Sequence, residues 1–514
     1  MTTVALVKRS AYRDSVLLLD LARELRALPG VREAAALMAT PANQELLAGS
    51  GLSSEDALAA GPNDLVIAIR AESAAAADLA LARAEALVAA RDRPVGPAGR
   101  ALPRTLDSAW RRLEGANLAL ISVPGPFAAA EARRALLRGL HVMLFSDNVP
   151  VEAEIALKQL ARRRGLLMMG PDCGTAYLAG VPLGFANAVP RGRVGLVAAS
   201  GTGLQQVATL LADSGEGISH GIGVGGRDMS EAVGGAMALV AIDALAAEPA
   251  TEAIVVVGKP PAPAVRAAVA ARLRAAGKPA VACLLGRGAR PGREGSLTIA
   301  ATLEDAARAA VAAVRGHAWT PRPFGPEITG LRERLTSARR ALAPGQRTVR
   351  GAYAGGTLAD EARLILDAVR AGGPGVTSEI VDLGADEYTV RRAHPMIDPA
   401  ARIAEIGRAA ADPRTAVILL DVVLGHGAAA DPAGDLAPAL EAARRSARAH
   451  GRDIALVATV VGTDADPQGM RRQIARLEGA GAWVLPSNAQ AARAAACIAG
   501  GEPALAAILA EAGA

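Results

Sequence analysis

Short apolar runs rich in Val, Ile and Leu alternate with Ala-rich stretches of helical period from one end of the chain to the other. Such runs lie at Val4–Val7, Leu65–Ile69, Leu118–Val123, Val142–Phe145, Leu166–Met169, Val194–Ala198, Ile254–Val257, Val281–Leu285, Val417–Leu420 and Ile454–Val460. They carry almost no polar positions, so they read as short buried strands, not half-wet ones. Nearly all are followed by Gly, Pro, Ser or Thr before the next helical stretch. This alternation predicts βαβ units around parallel sheets, and hence an α/β fold.

The periodicity lapses where Pro, Gly and Arg crowd together, at Arg91–Pro103, Pro190–Arg193 and Trp319–Pro326. A charged helical stretch, Leu331–Leu342, and then Pro344-Gly345 read as a spacer before a new α/β unit opening at Val349–Ala352. The later units share a plan of strand, Gly-Thr and helix: Val197-Ala-Ala-Ser-Gly-Thr-Gly203 in one and Val460-Val-Gly-Thr-Asp464 in the other. A looser copy stands at Tyr353-Ala-Gly-Gly-Thr357.

With 514 residues the chain has material for about three domains of ~150 residues each. Hydrophobic residues at 51% against 21% charged place it with globular chains and exclude a disordered one. Its net charge of +5 is spread along the length and aromatic residues are 2%, so no basic stripe or stacking platform argues for nucleic acid. The uncharged interval Cys173–Pro190 approaches the ~18 residues that span a bilayer, but three glycines and two prolines interrupt it. It is expected as buried loop and strand, with no membrane partner. Met1 to Arg9 reads as a strand with Lys8 and Arg9 behind it, not as a signal peptide. Cys173, Cys283 and Cys497 are far apart and lack zinc spacing, which suits a reducing cytoplasm and predicts no metal site.

Two loops of the first unit carry candidate chemistry. Ala199-Ser-Gly-Thr-Gly-Leu-Gln-Gln206 follows a buried strand and opens an amphipathic helix running through Leu211, so Ser200, Gly201, Thr202 and Gly203 have the form of a phosphate site. An ordinary Ser N-cap followed by a Gly turn accounts for the same residues. The glycine-rich Gly221-Ile-Gly-Val-Gly-Gly-Arg-Asp228 places Gly223, Gly225 and Gly226 in a tight loop suited to a ligand. Arg227 is then an anion clamp or a solvated loop arginine. In the later unit, Asp421-Val-Val-Leu-Gly-His-Gly427 ends a strand in a Gly-His-Gly turn, and Gly462-Thr-Asp-Ala-Asp-Pro-Gln468 comes one strand later. Both belong at the carboxyl ends of strands, where open α/β sheets bind ligands. His426 is an acid/base or nucleophile candidate or a plain surface histidine. His394, before Pro395, fits a structural turn better.

In order and spacing, Val123-Pro-Gly-Pro-Phe127, Ser146-Asp-Asn-Val-Pro150, Met169-Gly-Pro-Asp-Cys-Gly174, Ala199-Ser-Gly-Thr-Gly203 and Gly221-Ile-Gly-Val-Gly-Gly226 resemble the α-subunit of the succinyl-CoA synthetase superfamily, most closely its FdrA branch. From about Val349 the chain resembles the carboxy-terminal ligase domain of the β-subunit. The resemblance implies a divergent N-terminal α/β part of the CoA-binding-like region over 1–103 and a CoA-binding Rossmann-like domain over 104–190. It implies flavodoxin-like ligase domains over 191–320 and 346–514, joined by a linker over 321–345. Gly462 and Thr463 stand where the family has the Gly-Thr that opens its second phosphate-facing helix.

Two departures from the family pattern bear on function. Gly286-Arg-Gly-Ala-Arg-Pro-Gly-Arg-Glu-Gly-Ser-Leu297 keeps the loop before the family's phosphorylated histidine, but Ser296 and Leu297 stand where Gly-His would fall. Lys259 replaces the glutamate that supports that histidine. No ATP-grasp domain or nucleotide site is visible. The FdrA resemblance implies anaerobic allantoin catabolism and, with partner subunits, an oxamate carbamoyltransferase that turns oxalurate and phosphate into oxamate and carbamoyl phosphate. On that reading the ligand is phosphate or carbamoyl phosphate, with room for CoA, Lys259 adds positive charge, and Arg227 or Arg287 contributes to an acceptor site. The competing expectations are a subunit of an NDP-forming acyl-CoA synthetase, with His426 taking over phosphorylation, and a non-catalytic CoA- or phosphate-binding scaffold.

Overall fold

The computed structural model describes the chain except for residues 12, 14, 92–102, 104, 288–289, 322–323, 326–329, 372–374, 390–392 and 512–514. The expected boundary at Arg91–Pro103 therefore lies largely outside the described residues, and that at Trp319–Pro326 lies partly outside them. The chain forms two compact units, Met1–Thr105 with Asp386–Asp398, and Leu106–Ala385 with Pro399–Ala514.

In the first unit, the strand Leu65–Ala71 lies between Thr2–Lys8 and Val31–Met38 and is antiparallel to both. Side chains alternate across a strand, and here both faces are covered. Leu65, Ile67 and Ile69 pack with Leu18, Leu21 and Ala80 of the helices Ser15–Arg26 and Ala74–Arg91. Val66 and Ala68 pack with Leu47 and Ala57 of Pro41–Ser50 and Glu55–Leu58. The three strands of the stretch expected as part of the CoA-binding-like region thus pair antiparallel, in the unit that also holds Asp386–Asp398. Burial on both faces gives any central strand an unbroken apolar run, so the run at Leu65 could not tell antiparallel from parallel pairing.

The second unit is α/β with mainly parallel sheets. Leu118–Ile121, His141–Leu144 and Met168–Met169 make a small parallel sheet. A larger sheet runs, in spatial order, Gly292–Glu294, Leu297–Ile299, Ala280–Leu284, Ala253–Gly258, Arg191–Ala198, Ile218–Gly223, Thr175–Leu178 and Val181–Gly184. Its five inner strands, Leu297–Ile299 through Ile218–Gly223, are parallel. The last two form a hairpin added antiparallel to the Ile218–Gly223 edge. The uncharged interval Cys173–Pro190 contains this hairpin, and among the described residues no helix is long and apolar enough to cross a membrane.

The third sheet has the order Thr377–Asp382, Thr348–Tyr353, Thr415–Val423, Ala455–Val461 and Ala482–Leu485, all parallel. The stretch expected as a spacer contains the helix Leu331–Arg340, which docks on this half. The Arg334 guanidinium lies 5.1 Å from the Trp483 ring centroid, and Arg339 donates to the Ala499 carbonyl at 2.9 Å.

Candidate functional site

The strand Arg191–Ala198 delivers the chain to Ser200, whose backbone is extended (φ −163°, ψ 123°) and whose hydroxyl accepts from the Gly203 amide at 2.9 Å. That geometry caps the helix Gly201–Asp213, as an N-terminal serine does. In the third sheet, Thr348–Tyr353 leads in the same way into the helix Gly356–Ala371. These two helix starts meet. The Thr357 hydroxyl donates to Ser200 Oγ at 2.5 Å. A Cβ on Gly203 would stand 3.2 Å from Thr357 Cγ2, and one on Gly355 would stand 3.0 Å from Thr202 Oγ1, so glycine permits the approach from both sides. The amides of Gly201, Thr202, Gly356 and Thr357 belong to first helical turns, which have no helix carbonyl behind them. Two positive dipole ends are thereby brought together, and an anion beside them relieves their repulsion.

The second helix start is braced by side chains from other elements. Asp421, fully buried in Thr415–Val423, accepts from the Ala354 amide at 2.8 Å and the Gly355 amide at 2.7 Å. Buried Arg402 donates to Asp421 Oδ1 at 3.1 Å and to the Ala352 carbonyl at 3.0 Å, and burial pushes its guanidinium pKa down. Asp382 ends the edge strand. Its Oδ1 accepts from the Gly384 amide at 3.0 Å, and its Oδ2 lies 2.5 Å from the place of a Cβ on Gly356. Burial pushes the Asp382 carboxyl up, opposed by the Gly384 bond and the nearby Lys259. Lys259, about half exposed, reaches the rim and pairs with Asp360 of the second helix at 2.9 Å. One turn further in, Glu361 accepts from the Leu303 amide at 2.7 Å and from Asn488 at 2.8 Å, and burial pushes its carboxyl up to about 7.

Ser200, Gly201, Thr202 and Gly203 are thus brought together with Lys259 nearby, but Gly462 and Thr463 do not open the facing helix. The loop 462–469 precedes a helix that begins only at Met470. The Thr463 amide donates to Asp466 at 2.8 Å and its hydroxyl donates to the Ala188 carbonyl at 2.8 Å. Asp466 also takes the Asn187 side chain, so this loop latches the segment after the 175–184 hairpin. The facing start is the looser copy at Gly355-Gly356-Thr357. Both segments contain Gly-Thr, and sheet order, which the sequence does not display, decides which one faces Ser200.

The Gly-rich 221–228 segment is explained mainly by close packing. A Cβ on Gly223 would collide with the Thr175 carbonyl, and one on Gly225 (φ 86°) with the Pro171 carbonyl, whereas Gly226 is exposed with open surroundings. Arg227 is engaged by Glu154 at 2.9 Å and by the Val149 carbonyl at 2.7 Å. Glu154 and Asp228 in turn hold the fully buried Lys158 at 2.7 and 2.8 Å. Exposed His426 is anchored through its backbone amide to the Ala186 carbonyl. His394 sits in a turn whose carbonyl accepts from Ile397 and Asp398. Arg287 pairs with Asp367 at 3.1 Å. Ser296 turns an exposed hairpin, and Leu297 is buried in the sheet core.

Sequence reasoning missed Asp382, Asp421 and Arg402. They come from two strands and a helix, and only the approach of their side chains to one turn marks them. The helix Gly125–Leu137 starts without a side-chain cap, with Pro126 in its first turn and the Phe127 amide donating to the Pro124 carbonyl at 2.9 Å.

Residues 352–498 match a family described as CoA-ligase, and residues 1–101 match one described as AllF, heavy metal-associated domain. The latter stretch contains no cysteine or histidine, so it offers neither a thiolate nor an imidazole ligand, and its only sulfur donors are the thioethers of Met1 and Met38. Among the described residues there is no group of three or more His, Cys, Asp or Glu side chains able to hold a metal ion. The uncharacterized protein YahF of Escherichia coli K12 is 40% identical over 95% of this chain and 97% of that protein. The mitochondrial ADP-forming succinate–CoA ligase subunit alpha-2 of Trichomonas vaginalis is 31% identical over 28% of this chain and 47% of that subunit. Among solved structures, the dinucleotide-forming acetyl-coenzyme A synthetase 1 of Ca. Korarchaeum cryptofilum, in complex with phosphate and ADP, is 16% identical. It covers 81% of this chain and 87% of that one, with a TM-score of 0.34.

Proposed function

The chain belongs to the FdrA family, a CoA-ligase-like group, and on that premise we propose that it is the phosphate- and carbamoyl-phosphate-handling subunit of an oxamate carbamoyltransferase. The observation that carries this reading is the contact of the two helix starts at Ser200 and Thr357. Their first-turn amides, with Thr202 and the rim charge of Lys259, would hold phosphate. A phosphate oxygen attacks the carbamoyl carbon of oxalurate, the bond to the oxamate nitrogen breaks, and that nitrogen takes a proton as carbamoyl phosphate forms. Fixed amide dipoles stabilise the negative charge that develops on the carbonyl oxygen. No phosphohistidine is needed, in keeping with a buried Leu297 where the family pattern has its histidine.

The CoA-ligase match over 352–498 favours a second reading, a subunit of an acyl-CoA synthetase. The two differ in phosphoenzyme chemistry. Carbamoyl phosphate consumption with oxamate is measured for the chain alone and with the products of its neighbouring genes, beside peptide mapping after exposure to labelled ATP. Carbamoyl transfer only in the presence of partner chains, with no labelled histidine, is the expected result. Acid-labile label on His426 would instead establish the synthetase reading.

A further inference from the structure

We infer that Asp382 is a specificity-determining residue, which selects, at the phosphate site proposed above, an acyl phosphate whose acyl carbon bears an N–H group. Asp382 closes the edge strand Thr377–Asp382 and stands opposite Tyr353, the last residue of the strand that feeds the second helix start. Its two oxygens are used differently. Oδ1 accepts from the Gly384 amide at 3.0 Å. Oδ2 has no hydrogen-bond donor among the described residues, and it is the oxygen that lies against Gly356, 2.5 Å from where a Cβ would stand. Any side chain at Gly356 would cover it.

Among the described residues, the nearby cations do not occupy that oxygen. Lys259 is held by Asp360 at 2.9 Å, and Arg402 by Asp421 and the Ala352 carbonyl. Asp382 is partly buried, and burial raises its pKa against the opposing Gly384 bond and Lys259. An acceptor in that setting gains most from a ligand that brings a donor, and it disfavours one that brings a methyl or methylene. Carbamoyl phosphate presents an NH2 group where acetyl phosphate presents a methyl of similar size. A hydrogen bond to a charged acceptor is worth a discrimination of about tenfold or more.

This inference rests on the proposed phosphate site, and competition against labelled inorganic phosphate separates the two. In the full-length chain, with its partner chains where these are needed, carbamoyl phosphate should displace phosphate at about one tenth the concentration of acetyl phosphate. In Asp382→Ala the two should become equal within about twofold, with phosphate itself bound as well as before or better, because a negative charge has gone. The isosteric Asp382→Asn, which keeps the shape, should show a reduced preference if the alanine variant does not fold. Equal competition in the unaltered protein, or a preference untouched in both variants, overturns the role of Asp382 while leaving the phosphate site standing. Failure of the unaltered protein to bind inorganic phosphate removes the site and this inference together.

Discussion

The two helix starts that meet at Ser200 and Thr357 follow the same plan of buried strand, Gly-rich turn and helix, yet they are held by opposite means. The first is locally self-sufficient. Ser200 caps its own helix through the Gly203 amide, and the first turn carries no acidic residue. The second is held from outside, by Asp421 on the turn amides, Arg402 behind Asp421, and Asp382 against Gly356. A local cap is written in consecutive residues and leaves the dipole end electropositive. A brace from distant residues fixes the turn more firmly but places carboxylates around it. On the proposed reading, the first start binds the anion, and the second holds shape and reads what the anion carries.

Breaking the brace should have the largest effect. Asp421→Asn leaves Arg402 as a buried cation without its carboxylate, which costs about 3 to 5 kcal/mol when one partner of a buried pair is lost. A lowered midpoint of urea unfolding, followed by the fluorescence of the three tryptophans, is the expected outcome. An unchanged midpoint would show that the turn holds itself.

At the first start, Gly203→Asp adds a negative charge where a Cβ would stand 2.9 Å from Ser200 Oγ and 3.0 Å from Val257. Phosphate affinity should drop by at least a factor of about ten, on the scale of ~1.4 kcal/mol per decade. Ser200→Ala removes the cap and the acceptor of the Thr357 hydroxyl, and should lower stability by about 1 to 2 kcal/mol, read as a small shift of the same midpoint. If its cost equals that of Asp421→Asn, the contrast between the two starts disappears.

Glu361, which ties the second helix to Leu303 and Asn488, gives the contrast a pH signature. Its carboxyl is raised to about 7 in the fold from an ordinary value of 4.5, so between these values the folded chain binds more protons than the unfolded one. Its contribution to stability is present at low pH and is lost as pH rises through about 7. Glu361→Gln should flatten that fall in a titration of unfolding midpoint against pH, and an unchanged slope would place the titrating group elsewhere. The smallest effect is expected from Lys259→Ala, since a half-exposed pair with Asp360 is worth under about 1 kcal/mol.

Fold class was largely legible because central strands such as Val194–Ala198 and Val417–Leu420 are buried on both faces and read as unbroken apolar runs. Thr377–Asp382 was not, since an edge strand with Ser378 and Glu379 partly in water carries no such run. The same two-sided burial misled at Leu65–Ala71, which sits in an antiparallel sheet. The cap at Ser200 was legible from adjacent residues. The facing start was not, because Gly356-Thr357 and Gly462-Thr463 look alike and only strand order separates them. Asp382, Asp421 and Arg402 converge from positions without a motif.

Calorimetric titration of inorganic phosphate into the unaltered chain, Gly203→Asp and Thr463→Ala tests directly whether the anion sits between the Ser200 and Thr357 helix starts. The account predicts that Gly203→Asp loses affinity by about tenfold or more and that Thr463→Ala, which only releases the Ala188 carbonyl, binds as the unaltered chain does. Affinity retained in Gly203→Asp and lost in Thr463→Ala would contradict it.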